Sequence, residues 1–256
     1  MREVDLGRYK ALLIKSDGRY SAIGHKCAHY GAPLLKGVLC GQRVRCPWHG
    51  ACYDVRSGDI EDFPGLDSLP CFQVKVEKNR VIVRASEKEL QMQKRVRSMC
   101  RHEPSNTDQI LIIGGGPASV VCAETLRQEG FTGLVTLITR ERSQPYDRPK
   151  LSKMMDTTAE CMSLRPPEFY QEHDITVLTG TEAVSVDTRS RLVTLSTGST
   201  LPYDKLLIAT GATPRVLACP GAHLEGVFTL RSPDDANRIA SMAAGANLVV
   251  VGSSFI

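Results

Sequence analysis

The stretch CPWHGACYD (Cys46–Asp54) places Cys46 and His49 three positions apart, around a proline and the only tryptophan of the chain. A second pair, Cys27-Ala-His29, precedes it with sixteen residues between the pairs. Two such pairs on successive turns of a β-rich segment allow two loops to converge on one centre. Two thiols and two imidazoles suit either a tetrahedral Zn²⁺ or a [2Fe–2S] cluster with two thiolates on one iron and two imidazoles on the other.

The distribution of these ligands favours the cluster. Each loop supplies one cysteine and one histidine, whereas zinc fingers usually place both histidines together on a helix. The flanks, CAHYGAPL and CPWHGACYD, resemble the two cluster loops of Rieske proteins. They carry residues suited to tight loops, namely Gly31, Pro33, Pro47 and Gly50. The resemblance implies that the two cysteines and two histidines hold a Rieske [2Fe–2S] cluster, and a zinc site is the alternative.

The same resemblance implies a low reduction potential. High-potential Rieske proteins have a disulfide between the two loops, but this chain has Ala32 and Trp48 at the matching positions. They also have a serine hydroxyl that hydrogen-bonds the cluster, and here that position is Ala51. Fewer donors leave the reduced, more negative cluster less stabilised, so we expect a potential near the low end of the range of roughly −150 to +300 mV.

A glycine turn marks the second half of the chain. ILIIGGGPAS (Ile110–Ser119) gives Gly114-x-Gly116-x-x-Ser119 directly after a predicted strand and at the start of a predicted helix. The glycines permit close approach of a pyrophosphate, whose negative charge the helix N-terminus favours. Glu141 follows the next predicted strand, where an acidic residue is expected to bind ribose hydroxyls. An ordinary buried strand with a glycine turn is the alternative interpretation.

The next stretch, QPYDRPKLSK (Gln144–Lys153), carries a sharper resemblance. Together with the glycine turn it resembles the flavoprotein family that includes the ferredoxin reductases of aromatic-ring dioxygenase systems and apoptosis-inducing factor. The resemblance implies that Arg148 helps to hold the FAD pyrophosphate. It also implies a catalytic role for Lys153, against the isoalloxazine, where a cation would stabilise the anionic reduced flavin. A later A-T-G segment implies that Thr210 and Gly211 pass close to the FAD.

The expected fold class is α+β and multidomain. An N-terminal antiparallel β Rieske domain precedes an α/β Rossmann-like FAD-binding domain, which is followed by only the start of an NAD-binding domain. The predicted limits are 1–85 for the Rieske domain without its first strand, 86–108 for a linker with a short helix, 109–222 for the FAD-binding domain and 223–256 for the truncated NAD(P)-binding start.

Two elements are predicted within this truncated start. Pro233–Met242 has a helical pattern, and NLVVVGSSFI is predicted to start a new strand-and-turn unit, with Gly252-x-Ser254 as the first half of a glycine turn. The chain is therefore expected to end where an NAD-binding unit opens.

Composition and charge argue against several classes of protein. The 256 residues are 42% hydrophobic and 23% charged, with no apolar run of the ~18 residues that a membrane helix needs. The N-terminus has no secretory signal, and a net charge of +4 is too small to indicate a nucleic-acid partner. Nine cysteines without dense pairing indicate a reducing, intracellular environment. A basic cluster in the predicted linker suggests either a solvated surface or peripheral membrane contact, through Lys94, Arg95, Arg97 and Arg101.

A Rieske module placed ahead of this flavoprotein resembles the Rieske-containing members of the apoptosis-inducing-factor family. It implies an electron-transfer oxidoreductase that passes electrons from NAD(P)H through FAD and the Rieske cluster to an unknown acceptor. The alternatives are a pro-apoptotic or interaction factor with a secondary redox role, and a truncated cluster-binding chain without reductase activity. The family resemblance implies a mitochondrial protein, with the cytoplasm as the alternative location, and leaves the oligomeric state open.

Overall fold

The computed structural model describes residues 1–252. The chain forms two compact units, Met1–Ser98 and Met99–Ile256. The boundary between them falls inside the predicted linker, residues 86–108, which is therefore shared between the two units. The predicted domain limits remain a prediction.

The first unit is an antiparallel β structure, as the sequence predicts. Its strands and helix are β1 (Arg2–Leu6), β2 (Tyr9–Ser16), β3 (Arg19–Gly24), β4 (Val38–Cys40), β5 (Arg43–Arg45), β6 (Cys52–Asp54), β7 (Ile60–Asp62), β8 (Cys71–Glu77), β9 (Arg80–Arg84) and α1 (Glu87–Gln91). A 3-10 turn covers Leu34–Lys36. The strands form a sheet of order β1-β2-β3-β8-β9 and a second sheet of order β4-β5-β6-β7. Strand β1, which pairs with β2, was not assigned from the sequence.

Tight hairpins set the register of the larger sheet. Asp17 and Gly18 join β2 to β3 with φ of 49° and 75°, and Lys78 and Asn79 join β8 to β9 with φ of 47° and 60°. Two successive residues with positive φ are typical of a type I′ turn, whose twist matches that of the strands. The alternating side chains of β2 therefore fall consistently on opposite faces of the sheet.

The main core of this unit packs side chains of one sheet against those of the other. Leu12 and Ile14 of β2 are fully buried, and so are Val44 of β5 and Tyr53 of β6. On its other face the larger sheet packs a smaller cluster that includes Leu90 of α1. Helix α1 starts with a capping box at Ser86 and Glu89, a signal that stabilises a short helix end.

The second unit contains a parallel sheet covered by helices. Its elements are β10 (Gln109–Ile113), α2 (Pro117–Gln128), β11 (Leu134–Ile138), α3 (Pro167–Glu172), β12 (Ile175–Leu178), β13 (Ala183–Asp187), β14 (Leu192–Leu195), β15 (Thr200–Pro202), β16 (Lys205–Ile208) and α4 (Pro233–Ala243). Short 3-10 turns cover Arg148–Ser152 and Glu160–Met162. The parallel sheet has the order β12-β11-β10-β16, and a separate antiparallel sheet has the order β13-β14-β15. The first order matches the start of the Rossmann arrangement, so the predicted α/β fold is confirmed.

A buried arginine fixes helix α2 to this sheet. The guanidinium of Arg127 is fully buried, and burial lowers its pKa. It donates to the carbonyl oxygens of four residues at 2.6–2.9 Å, namely Phe131, Gly133, His173 and Asp174. These bonds tie the C-terminal end of α2 to the turns before β11 and β12, and so set the helix direction.

The end of the described chain corrects one prediction. Pro233–Ala243 forms the predicted helix, but residues 247–252 form no strand. A strand requires a hydrogen-bonded neighbour, and within residues 1–252 none pairs with this segment. Its apolar side chains from Leu248 to Val251 are exposed. The predicted glycine turn, Gly252-x-Ser254, extends outside the described residues. In the described part of the chain, no helix is both long and apolar enough to cross a bilayer.

Candidate functional site

The two predicted ligand loops of the first unit have the same backbone closure. In each loop the cysteine N–H donates to the carbonyl five residues later, in Ala32 or Ala51, at 2.8 Å. The glycine before that acceptor, Gly31 or Gly50, has φ of 76° in both loops. Glycine adopts this left-handed conformation at no steric cost, because it has no Cβ. Arg45 donates to the carbonyl of Gly50 at 2.8 Å and so supports the second loop.

The structure brings the four predicted metal ligands together as two pairs. Cys27 and Cys46 are 4% and 5% exposed, and the two thiols are close enough for Cys46 to contribute to raising the pKa of Cys27. The rings of His29 and His49 lie 5.1 Å apart between centroids, at 76°. Burial raises the pKa of the Cys27 thiol, so a bound metal would be needed to favour its thiolate. The site therefore consists of a buried thiol pair and a more exposed imidazole pair.

This division into pairs bears on which metal group fits. A Rieske cluster needs two thiolates on one iron and two imidazoles on the other. Structural zinc instead needs four ligands around a single ion. The pairing of thiol with thiol and of imidazole with imidazole therefore matches the division of ligands that a Rieske cluster requires.

Tyr53 belongs to this site but was not among the predicted residues. Its hydroxyl lies 3.2 Å from Sγ of Cys27 and accepts a hydrogen bond from the N–H of Ala28 at 3.1 Å. Burial raises the pKa of Tyr53, so the hydroxyl stays protonated and can donate to a cysteine sulfur. The Tyr53 hydroxyl therefore supplies one hydrogen-bond donor to the site. Ala51, at the position expected to carry a serine hydroxyl, supplies none. No local motif could have revealed a contact across 26 residues of sequence.

Aromatic and loop residues surround the imidazole pair. The ring of Tyr30 stacks on His29 at 3.9 Å between centroids, and that of Trp48, 58% exposed, lies 6.5 Å from His49. The backbone at Gly65 also lies against His29, because a Cβ added there would be 3.2 Å from Cβ of His29. A third loop therefore covers one side of the predicted cluster site.

In the second unit, the glycine turn between β10 and α2 forms a close backbone cradle. Gly114 has φ of 136°, and a Cβ added to it would lie 2.1 Å from the carbonyl oxygen of Ala209. A Cβ added to Gly115 would lie 2.5 Å from Oγ1 of Thr139. Gly115 was not among the predicted site residues, although it is the middle glycine of the motif. The turn therefore meets the ends of both neighbouring strands, β11 and β16.

The start of helix α2 has free space beside it, in contrast to the tightly packed Gly114 and Gly115. Gly116 is the N-cap, and a Cβ added to it meets nothing within 4 Å. Helix α2 has 12 residues, long enough for its N-terminus to attract an anion. Ser119 is fully buried, and its Oγ would be 3.2 Å from a Cβ at Gly114. The arrangement fits a pyrophosphate at Gly116, with Ser119 in the packing role of a third glycine.

Arg148 lies at the centre of a contact network beside this turn. It forms a salt bridge with Glu141 and donates to the hydroxyl of Tyr146 and, at 2.9 Å, to the carbonyl of Arg231. Burial raises the pKa of Tyr146. The N–H of Glu141 donates to Oγ1 of Thr139 at 3.2 Å, which connects the network to the glycine turn. Two residues predicted to hold different parts of FAD are therefore in contact with each other.

The remaining predicted flavin residues lie on exposed segments. Gly211 has φ of 74°, and a Cβ added to it would lie 2.9 Å from the guanidinium of Arg231, while Thr210 beside it is exposed. Lys153 is exposed and donates to Oγ of Ser152 and the carbonyl of Pro149, each at 2.9 Å. The contacts of Lys153 are therefore local and do not join it to the glycine turn.

Two family models match the chain. One describes the Rieske [2Fe–2S] domain and matches residues 1–73. The other describes the pyridine nucleotide-disulphide oxidoreductases and matches residues 108–256, more than half of the chain. The chain belongs to the pyridine nucleotide-disulphide oxidoreductase family. The predicted combination of a Rieske domain with this oxidoreductase family is confirmed, and with it the [2Fe–2S], flavin and nicotinamide groups that such domains use.

The chain is similar to several curated proteins. It is 54% identical to apoptosis-inducing factor 3 of Homo sapiens over 100% of this chain and 43% of that protein. The corresponding mouse protein is 52% identical, with the same coverage. Rhodocoxin reductase of Rhodococcus erythropolis is 41% identical over 57% of this chain and 35% of that protein. The chain thus spans less than half the length of these curated relatives.

A solved structure supports the fold of the second unit. The ferredoxin reductase for the CYP199A2 system from Rhodopseudomonas palustris is 32% identical, with a TM-score of 0.51. The match covers 54% of this chain and 35% of the reductase. The α/β unit therefore has the fold of a ferredoxin reductase-type member of the oxidoreductase family.

Proposed function

We propose that this chain takes part in electron transfer from NAD(P)H, through FAD and a Rieske cluster, to an acceptor still to be identified. The observation that carries the proposal is the presence, in one chain, of two matched cluster loops and a glycine cradle at the carboxyl ends of parallel strands. When bound, FAD would supply hydride acceptance and the [2Fe–2S] cluster would supply single-electron transfer. Similarity to apoptosis-inducing factor 3 over the whole chain supports the same combination.

In the first unit, the residues proposed to hold the cluster are Cys27, His29, Cys46 and His49. Their two loops close by the same hydrogen bond, so the ligand positions are set by the backbone before any metal binds. The exposed imidazole of His49 leaves one side of the site open to a partner, whereas the thiol pair is buried. Such an arrangement suits electron exchange at the histidine side.

In the second unit, the proposed role of Gly114, Gly116 and Ser119 is to admit and hold the FAD pyrophosphate at the N-terminus of α2. Arg148 would add a positive charge to that anion, and Glu141 would accept hydrogen bonds from ribose hydroxyls. The salt bridge between these last two residues keeps both side chains in place before the nucleotide binds.

The remaining residues concern the flavin ring and its access. We assign Thr210 and Gly211 to the segment that passes close to FAD, which the contact of Gly211 with Arg231 supports. Lys153 is assigned a charge-stabilising role toward reduced flavin. For that role, the side chain of Lys153 would have to leave its local contacts with the carbonyl of Pro149 and Oγ of Ser152.

The first experiment is metal and flavin analysis of the purified chain. We expect iron and acid-labile sulfide in equal amounts, without zinc, together with flavin. Both iron and sulfide should be lost in Cys46→Ser and retained in the control Cys40→Ser, since Cys40 is exposed and lies outside the ligand set. Zinc in place of iron would contradict the proposal.

The second experiment tests the direction of electron flow. NADH or NADPH is added anaerobically, and the visible bands of the cluster are followed. Bleaching of the cluster that requires bound flavin is expected. A cluster that dithionite reduces but neither nucleotide reduces would favour the cluster-binding alternative. Unchanged protein interactions in Cys27→Ser and Cys46→Ser would favour the interaction-factor alternative.

Location and membrane contact are separate proposals. Mitochondrial location follows from the family resemblance, and imaging of a tagged chain against a mitochondrial marker tests it. Peripheral membrane contact through the basic cluster is less supported, because Lys94, Arg95 and Arg97 all have acidic neighbours in the first unit.

A further inference from the structure

Arg95 joins the end of the first unit to a distant loop. An isolated antiparallel bridge pairs it with Ser68, and each backbone N–H donates to the other residue's carbonyl at 2.8 Å. The guanidinium adds a bond from Nε to the carbonyl of Leu69 and one from Nη2 to the carbonyl of Ser57, both at 3.0 Å. It also pairs with the carboxylate of Asp59. Arg95 therefore holds three separate chain segments together.

The residues beside Arg95 add weaker contacts to the same region. Nζ of Lys94 lies 3.9 Å from Oδ2 of Asp67, whose side chain is only 8% exposed. Nε of Arg97 lies 4.0 Å from Oδ2 of Asp59. We refer to residues 94–97 as the strap, because each of these contacts ties them to the first unit.

The strap is attached to the loop that covers the cluster site. This covering loop, residues 63–68, ends at Ser68, which is 1% exposed and whose Oγ accepts a bond from the N–H of Ile60 at 3.2 Å. At the middle of the loop, a Cβ added to Gly65 would lie 3.2 Å from Cβ and 3.4 Å from Cα of His29. The backbone of the loop is therefore in direct contact with a proposed cluster ligand, three residues from the attachment of the strap.

We propose that Arg95 is a positioning residue for the cluster. By its backbone bridge to Ser68 and its guanidinium bonds to Leu69, Ser57 and Asp59, it keeps the covering loop closed on His29 and limits access of water to that imidazole. The potential of an iron–sulfur cluster depends on solvent exposure and on nearby hydrogen bonds. Water stabilises the more negative, reduced form, so loosening the loop should raise the reduction potential. The inference rests on cluster ligation by His29 in the proposed function, but not on the electron donor or acceptor.

The test uses Arg95→Lys in the complete chain. This variant keeps the positive charge, but an ammonium cannot replace the planar fork that reaches several acceptors at once. We expect amide hydrogen exchange at Ser68 to become about tenfold faster. We also expect an upward shift of the midpoint potential and altered g values in the electron paramagnetic resonance spectrum of the reduced cluster. The control is Arg101→Ala, which removes an exposed charge of the same predicted basic cluster and should change none of these.

Each contrary result has a distinct meaning. Unchanged exchange at Ser68 would show that the guanidinium of Arg95 does not hold the loop, and the proposal would fall. Faster exchange with an unchanged potential and spectrum would make the strap a purely structural contact, which also overturns it. If Arg95→Lys does not load iron, Asp59→Asn, which removes the carboxylate partner of the Arg95 guanidinium, is judged by the same measurements. A wild-type chain that contains no iron and sulfide would overturn both this inference and the proposed function. A wild-type chain that contains the cluster, but has the same exchange rate, potential and spectrum as the variant, would overturn the inference alone.

Discussion

The hydroxyl of Tyr53 lies 3.2 Å from Sγ of Cys27, although the two residues are 26 positions apart. Hydrogen bonds to the cysteine sulfurs stabilise the reduced state of an iron–sulfur cluster and raise its potential. The low potential expected from Ala51 therefore has an opposing contribution from Tyr53.

Replacing Tyr53 by phenylalanine should lower the midpoint potential. A hydrogen bond worth about 1 kcal/mol corresponds to a shift of tens of millivolts for a one-electron couple. Redox titration of Tyr53→Phe measures the shift, and Tyr20→Phe, which removes a hydroxyl from strand β3, is the control. A potential that is equal in both variants would mean that the Tyr53 hydroxyl does not act on the cluster.

Two glycines of the same turn should respond differently to alanine. Gly114→Ala forces a side chain into φ of 136° and within 2.1 Å of a carbonyl oxygen, so we expect a loss of at least ~3 kcal/mol in the free energy of unfolding, or failure to fold. Gly116→Ala meets open space and should change stability by less than ~1 kcal/mol, while it lowers flavin content. Thermal unfolding without FAD and flavin absorbance per chain separate the two effects. A destabilised Gly116→Ala, or one with normal flavin content, would contradict this assignment.

Asp54 should make the first unit sensitive to acid. Burial favours a higher pKa, but hydrogen bonds from the side chain of Arg56 and from the N–H groups of Arg56 and Ser57 outweigh it and hold the pKa of Asp54 below its usual value. A carboxyl with a lowered folded-state pKa contributes stability above its unfolded pKa, near 4, and loses that contribution as the pH falls through the folded value. Asp54→Asn should therefore cost about 1–2 kcal/mol at pH 7, and the difference from wild type should shrink below pH ~4.

Urea unfolding of wild type and Asp54→Asn between pH 7 and pH 3 measures this difference. The control is Asp5→Asn, which alters an exposed carboxyl of strand β1. A difference between wild type and Asp54→Asn that stays constant across this range would show that the ionised carboxylate is not what stabilises the fold.

The buried ion pair of the second unit should contribute far more to the free energy of unfolding than an exposed pair does. Glu124 accepts two bonds from Arg165, at 2.8 and 3.0 Å, and the two side chains are 3% and 9% exposed. Glu124→Gln removes the carboxylate that accepts both of these buried bonds, at a cost of about 3–5 kcal/mol. Arg140 and Glu182 lie 4.0 Å apart with both side chains more than half exposed, so Glu182→Gln should cost less than ~1 kcal/mol. Equal losses of unfolding free energy in the two variants would refute the comparison.

Much of the site could be predicted because the residues that carry its chemistry lie close together in the sequence. The Cys-x-His and Cys-x-x-His pairs each fall within a single loop, and Gly31 and Gly50 adopt the left-handed conformation that such loops require. The strand, glycine turn and helix around Gly114 are likewise contiguous, and their apolar and glycine pattern is sufficient to identify them. Residue types and local backbone geometry therefore determined the ligand sets and the α/β class.

Contacts between distant segments could not be predicted in this way. Tyr53 reaches Cys27, Arg148 reaches the carbonyl of Arg231, and Arg95 pairs with Ser68 only in the folded chain. The strand predicted within NLVVVGSSFI is not formed by the described residues 247–252, for a related reason. Its apolar pattern is local, but a strand forms only when a neighbouring backbone supplies hydrogen bonds. The sequence by itself determined which groups the chain can offer, and the tertiary structure alone decided which of them meet, because pairing over long sequence distances depends on the packing of the whole unit.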